Sequence, residues 1–352
     1  MSNFLIGARD QLASTVAPFF EKHPLVASGL SRLGLMMFTF FCMSIIIFLV
    51  IDLPEGDFAT AKIAELQSLG QTVDPKMIEI LRETYGLDKP ILVRYWAWFS
   101  GLMTGDLGMS LSTQEPVWDT IKTRLPVTLL LMSAVLVFMF VTAIPIGIYS
   151  ALRPYSVGDY VGTIIGFLGM ATPNFVMAII AILIGYEYFD TVITGLNSDE
   201  YLGQPMSWGK FWDSVQRSWV FILVLGTSGM ATIIRKVRAN LMEEINKPYV
   251  TTARAKGLSE RELTMKYPVR LALIPIAATI GWKLPVLLGA DIIVSQVMNM
   301  PTMGTLMLQA LEKQDMVLAG DILLIMGGLT ILGTLISDVL LRLIDPRIRA
   351  GA

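Results

Sequence analysis

Residues 127–149 read VTLLLMSAVLVFMFVTAIPIGIY, twenty-three positions without one charged side chain. Wound as an α-helix, this stretch rises about 35 Å, enough to cross the ~30 Å hydrocarbon core of a bilayer. One such run fits a buried helix of a large soluble protein, but it has five companions: Leu33–Leu53, Val161–Tyr186, Trp219–Ile234, Leu271–Val297 and Ala319–Ile344. Six in one chain point to lipid. The fourth covers only 16 residues and borrows flanking polar positions, with Arg235 and Lys236 snorkelling to the interface.

Composition agrees. Of 352 residues, 54% are hydrophobic and 16% charged, against roughly 25% charged in soluble domains. The expected class is an all-α integral membrane protein with six transmembrane helices. Its first span is 33–53, with a structured outside insert over 54–126. A helical core over 127–344 contains a loop at 235–270. Residues 1–32 form the leading segment and 345–352 a short tail.

Residues 1–32 carry Arg9, Asp10, Glu21 and Lys22 and lack an apolar core followed by a small-residue cleavage site, so they do not read as a signal peptide. Phe4, Leu5, Phe19 and Phe20 suit a weakly patterned interfacial helix. With the N-terminus inside, the inside segments hold 15 Lys and Arg in 87 residues and the outside segments 10 in 126. The positive-inside rule then places both termini in the cytoplasm.

The chemistry available is narrow. With 27 basic against 29 acidic residues, no basic surplus marks a nucleic-acid partner. One histidine, His23, and one cysteine, Cys42, cannot make a His/Cys zinc site, a Cys–His nucleophile pair or an internal disulfide. The only Gly-Lys pair, Gly209-Lys210, is followed by Phe211, so no P-loop is present. Any ATP that drives this protein binds another polypeptide, and no cofactor is expected on this chain.

Residues 235–270 hold nine basic and four acidic side chains in the only long inside loop. Two short helices are readable there. Gly257 supplies the freely turning backbone that ends the first. Ser259, with Glu262 three positions on, forms a capping box that starts the second. Small Ala253 and Ala255 permit close approach by a partner. On spacing alone, a force-receiving elbow and an ordinary positively biased loop fit equally.

The string TARAKGLS at 252–259 resembles the cytoplasmic coupling loop of ABC importer permeases of the dipeptide/oligopeptide family. The similarity extends through PEGD at 54–57, GLDKP at 86–90, GDLG at 105–108, RLP at 124–126, IPIG at 144–147, ATPNF at 171–175 and DPRIR at 345–349. It implies a type I ABC importer permease fold in a bacterial inner membrane. It also implies a homologous second permease subunit, two ATP-binding subunits carrying ATP and Mg, and a periplasmic substrate-binding protein as partners. The coupling role carries over to Ala253, Ala255 and Gly257, with Arg254 and Ser259 beside them. Tyr249, Thr252, Lys256 and Glu262 complete the candidate loop.

Two departures stand out. Pro248 precedes Tyr249 where the family has an acidic residue. After the fifth span, Ser295 and Met300-Pro301-Thr302 replace a glutamate and Trp-Pro-Gly. The cargo class is therefore left open among peptides, oligosaccharides, opines and nickel chelates.

Pro145, Gly147, Gly162, Gly166, Gly169, Pro173, Gly281, Pro285 and Gly289 interrupt spans two, three and five. They suit helices that line a gated passage, and they suit close packing as well. Candidate passage residues are Pro145, Gly169, Pro173, Asn174, Lys283, Asp291 and Ser295. Lys283 and Asp291 share a helix face but stand about 12 Å apart along it, too far to pair. With Asp338, they are ionisable residues in or near the spans, which face protein or water. A stand-alone ion-coupled carrier would need inverted repeats, and none is readable.

Overall fold

The computed structural model describes residues 24–53, 56–70 and 76–344. The interfacial residues Phe4, Leu5, Phe19 and Phe20, the tail 345–352 with its DPRIR string, and the first half of PEGD lie outside them. Within the described residues the chain is helical, and its one bridge of strand type joins Met109 and Pro116.

Among the described residues, four helices are long and apolar enough to span a membrane: α1 (Pro24–Ile51), α5 (Val117–Leu152), α8 (Trp208–Ile245) and α14 (Met316–Ile344). Three short helices lie between the first two: α2 (Phe58–Ser68), α3 (Lys76–Thr84) and α4 (Ile91–Thr104). The remainder are α6 (Val157–Ala171), α7 (Asn174–Phe189), α9 (Pro248–Ala255), α10 (Glu260–Lys266), α11 (Pro268–Ala277), α12 (Ile280–Val297) and α13 (Met303–Glu312).

Three of the apolar segments differ in shape from the sequence expectation. The 16-residue fourth segment lies inside α8, 38 residues long, or about 57 Å, so the helix takes in the polar positions that flank it, Arg235 and Lys236 among them, and extends well past a bilayer core. The third segment is broken. Pro173 lacks an N–H and forces Thr172 into an extended conformation (φ −93°, ψ 127°), so α6 and α7 meet at 105°.

The fifth segment is also two helices, parted at Ala278 and Thr279. Ser337 of α14 repairs that break: its hydroxyl accepts from the Gly281 amide at 2.9 Å and reaches the carbonyls of Ala277 and Ala278 at 3.3 and 3.2 Å. An interrupted helix survives in a nonpolar surround only when its freed backbone groups find such partners.

The central core gathers Leu131, Val135, Phe221, Leu225, Leu287 and Val294 from α5, α8 and α12. Toward the α9–α10 end, Ala151, Leu241, Val269 and Ala272 join α5, α8 and α11. Glycines 162, 166 and 169 form one face of α6; side chains there would strike Ile146, Ala231 and the Thr227 carbonyl, so α6 rests directly on α5 and α8.

The α2–α4 segment is fastened rather than loose. Asp57 caps α2 in a reciprocal box with Thr60 and accepts from Arg82 of α3 at 2.6 Å. Trp98 donates to buried Asp321 of α14 at 2.7 Å. After Gly105 ends α4 in the left-handed region, the Ser110 hydroxyl and Ser112 amide both donate to Asp315, which in turn caps α14 through the Leu318 amide.

Candidate functional site

The elbow between α8 and α11 is built by local rules. Pro248 stands at the first position of α9, where its missing N–H is harmless. The chain leaves α9 through Gly257, whose φ of +82° belongs to the left-handed region and strains any residue with a β-carbon. The Ser259 hydroxyl then accepts from the Glu262 amide at 3.3 Å, one arm of the box that starts α10.

Three sets of contacts fix the elbow and the helices on which it stands. At its entry, the Tyr249 hydroxyl donates to Glu244 at 2.6 Å, and Lys247 bonds the same carboxylate. Across its apex, Arg254 grips Glu260 with two nitrogens, the longer contact being 3.1 Å. At its base, Val250, Leu263 and Thr264 are buried, and Asn240 of α8 donates to the Ala272 carbonyl of α11 at 3.2 Å.

The outer edge, Thr251, Thr252, Arg254, Ala255, Lys256, Gly257, Ser259 and Glu262, is exposed, with Ala253 half-buried.

The electrostatics follow the contacts. Burial, then the bond to Glu244, pushes the Tyr249 hydroxyl well above its ordinary pKa. Glu244 raises Lys247, Glu260 raises Arg254, and Arg254 in turn lowers Glu260. Glu244 and Glu260 are the members that sequence reading missed. Glu244 supplies, from the end of α8, an acidic partner for the tyrosine although Pro248 occupies the preceding position. Its signal was a carboxylate at i−3 to Lys247; Glu260 gave only a capping-region charge.

The passage candidates are not gathered into one site. Pro145 lies within α5 beside Gly147, whose α-carbon sits against Val237 and the Ile234 carbonyl of α8. Gly169 marks the α6–α8 contact, and Pro173 and half-buried Asn174 form the bend into α7. Asp291 and Ser295 are fully buried and bonded to each other, with the Asp291 Oδ2 against Gly304 in the first turn of α13. Lys283 stands apart from them on α12, half-buried and facing Gly229 of α8. Asp338 pairs with Arg32 of α1. Among the described residues, no three His, Cys, Asp or Glu side chains come together as metal ligands would.

Comparison with known proteins bears on the same regions. Residues 143–350 match the family model described as "Binding-protein-dependent transport system inner membrane component", and residues 30–132 match the model for the N-terminal part of such components. The chain is 32% identical over 299 residues to the oligopeptide transport system permease protein AppB of Bacillus subtilis, covering 83% of this chain and 92% of that one. It is 29% identical over 337 residues to the dipeptide transport system permease protein DppB of Escherichia coli K12, covering 91% and 98%. With the di/tripeptide transport system permease protein DppB of Pseudomonas aeruginosa it shares 30% over 342 residues, covering 90% and 97%.

Proposed function

Because the chain belongs to the family of binding-protein-dependent transport system inner membrane components, we propose that it forms one half of the passage of an ATP-driven peptide importer. It is a non-catalytic permease subunit of the cytoplasmic membrane, and ATP is hydrolysed by partner subunits. In this reading the chain crosses the membrane six times, with the α6–α7 and α11–α12 pairs each counted as one broken span. Both ends lie in the cytoplasm, and 54–126 faces the binding protein. A second, homologous permease chain and two ATPase subunits complete the complex. A peptide cargo is supported by the relatives' names, each a permease for dipeptides, di/tripeptides or oligopeptides.

The observation that carries the mechanism is the elbow's rigidity toward α8 and α11 together with its bare rim. Closure of the ATPase pair presses on residues 247–266. The Glu244–Lys247–Tyr249 and Arg254–Glu260 contacts pass the load without local bending. The shared base of Leu241, Val269 and Ala272 carries it into α8 and α11 as one body. Different contact of the rim with the open and closed ATPase states biases the passage between inward and outward openings.

The test is cross-linking from a photoreactive residue at Lys256 in the intact complex, paired with uptake of radiolabelled dialanine by cells that depend on this importer. Adducts with an ATPase subunit, together with uptake, are expected. An elbow that never contacts that subunit would sink the coupling role, and absence of uptake the peptide cargo.

A further inference from the structure

Lys283 lies three residues past the start of α12 and is half-buried. Its ammonium is 3.6 Å from where a β-carbon on Gly229 of α8 would sit, a point that Met139 of α5 also approaches. Three helices of the transport core therefore converge on it. Its amide donates to the Thr279 carbonyl at 3.2 Å, but among the described residues its ammonium makes no hydrogen bond and no ion pair. The acidic residue on its own helix, Asp291, is buried against α13 and bonded to Ser295.

On α8, Gly229, Thr232 and Lys236 follow a three- and four-residue spacing and so share one face. All three are partly or fully exposed, whereas neighbouring Ile233, Ile234 and Val237 are buried. An ionisable side chain within spanning helices is costly; such residues face the bundle interior or a water-filled cavity and mark substrate or ion pathways.

We propose that Lys283, backed by Lys236, is the anion-recognising station of the passage and receives the C-terminal carboxylate of a peptide as it crosses. This rests on the peptide reading given above. The ammonium donates a charge-assisted hydrogen bond to the carboxylate. Lys236, seven residues beyond Gly229 along α8, offers a second positive centre about two turns, or ~10 Å, away. The carboxylate is then passed along a field of one sign without being trapped in a closed pair.

The experiment uses the complete importer in proteoliposomes, with binding protein saturated by radiolabelled dialanine or by dialanine amide, which lacks the carboxylate. Lys283→Gln is expected to slow dialanine import about tenfold, the scale of one charge-assisted bond. The amide should enter wild type and variant alike, and Lys283→Arg should restore most of the dialanine rate. Lys236→Gln should give a smaller loss with the same selectivity. Co-purification of the ATPase subunits with each variant reports assembly.

Dialanine import at the wild-type rate in Lys283→Gln overturns the proposal. Equal loss of dialanine and amide import overturns it too, because a structural role makes no such distinction; if Lys283→Gln fails to assemble, the selectivity of Lys236→Gln decides by the same criterion. A wild-type importer that moves neither peptide removes the peptide reading and this proposal with it, an outcome separable from the variant results.

Discussion

Replacing Gly257 with valine separates backbone strain from packing, because an added β-carbon at this position meets no atom within 4 Å. The whole penalty then comes from φ, which at +82° lies where a β-carbon crowds the carbonyl oxygen. That costs about 1–2 kcal/mol for an ordinary L-residue, and a β-branched one stands at the upper end. Such a shift changes the ratio of formed to unformed elbow by about 5- to 30-fold.

The helices on either side keep their own contacts, so insertion and assembly should be unaffected. The loss should appear in coupling, measured as ATP hydrolysis by the reconstituted complex with and without loaded binding protein. Asparagine, which tolerates the left-handed region, should retain most of the stimulation, alanine less and valine least. Full stimulation in Gly257→Val, or equal loss in the asparagine and valine variants, would refute the claim that the turn geometry transmits the stroke.

Other positions give separate expectations. Ser337→Ala strips the buried Gly281 amide of its partner and should cost about 1–3 kcal/mol, read as a lower Tm of the purified complex; an unchanged Tm contradicts the proposed repair of the broken span. Gly169→Val drives a side chain into the Thr227 carbonyl, 2.7 Å from the β-carbon position, for about 1–3 kcal/mol of overpacking. Gly289→Ala meets nothing and should be neutral or slightly stabilising in the same melt. Tyr249→Phe removes the bond to Glu244 and should lower stability by about 1–2 kcal/mol. Because burial and Glu244 raise this hydroxyl's pKa, its contribution is present below the ordinary tyrosine value of ~10 and is lost as pH rises through the raised one. An alkaline absorbance titration should therefore lose a late-ionising phenolate in the variant.

The elbow was readable before any coordinates because its makers are local. A glycine at a helix end and a serine three residues before a glutamate act within one turn of chain. Glu260 and Glu244 were not readable in the same way. Their roles depend on which side-chain atoms meet once α8, α9 and α10 are fixed, and the sequence offers several carboxylates at comparable separations. The passage candidates divide similarly. Proline and glycine were visible as disturbances, but only packing assigns Gly169 to the Thr227 carbonyl and Asp291 to the first turn of α13.

Hydropathy alone determined that the chain lives in lipid, because removing a long apolar run from water outweighs any particular arrangement of neighbours. Charge asymmetry, one histidine, one cysteine and the missing P-loop determined just as directly which chemistry this chain leaves to others. Only the tertiary structure decided how the break in the fifth span is held, since an interrupted helix persists when a hydroxyl such as that of Ser337, 56 residues from Gly281, arrives to satisfy its backbone. It alone also decided that Lys283 stands without a counter-ion among the described residues, because a charge's partner is set by distance in space, to which separation along the chain is blind.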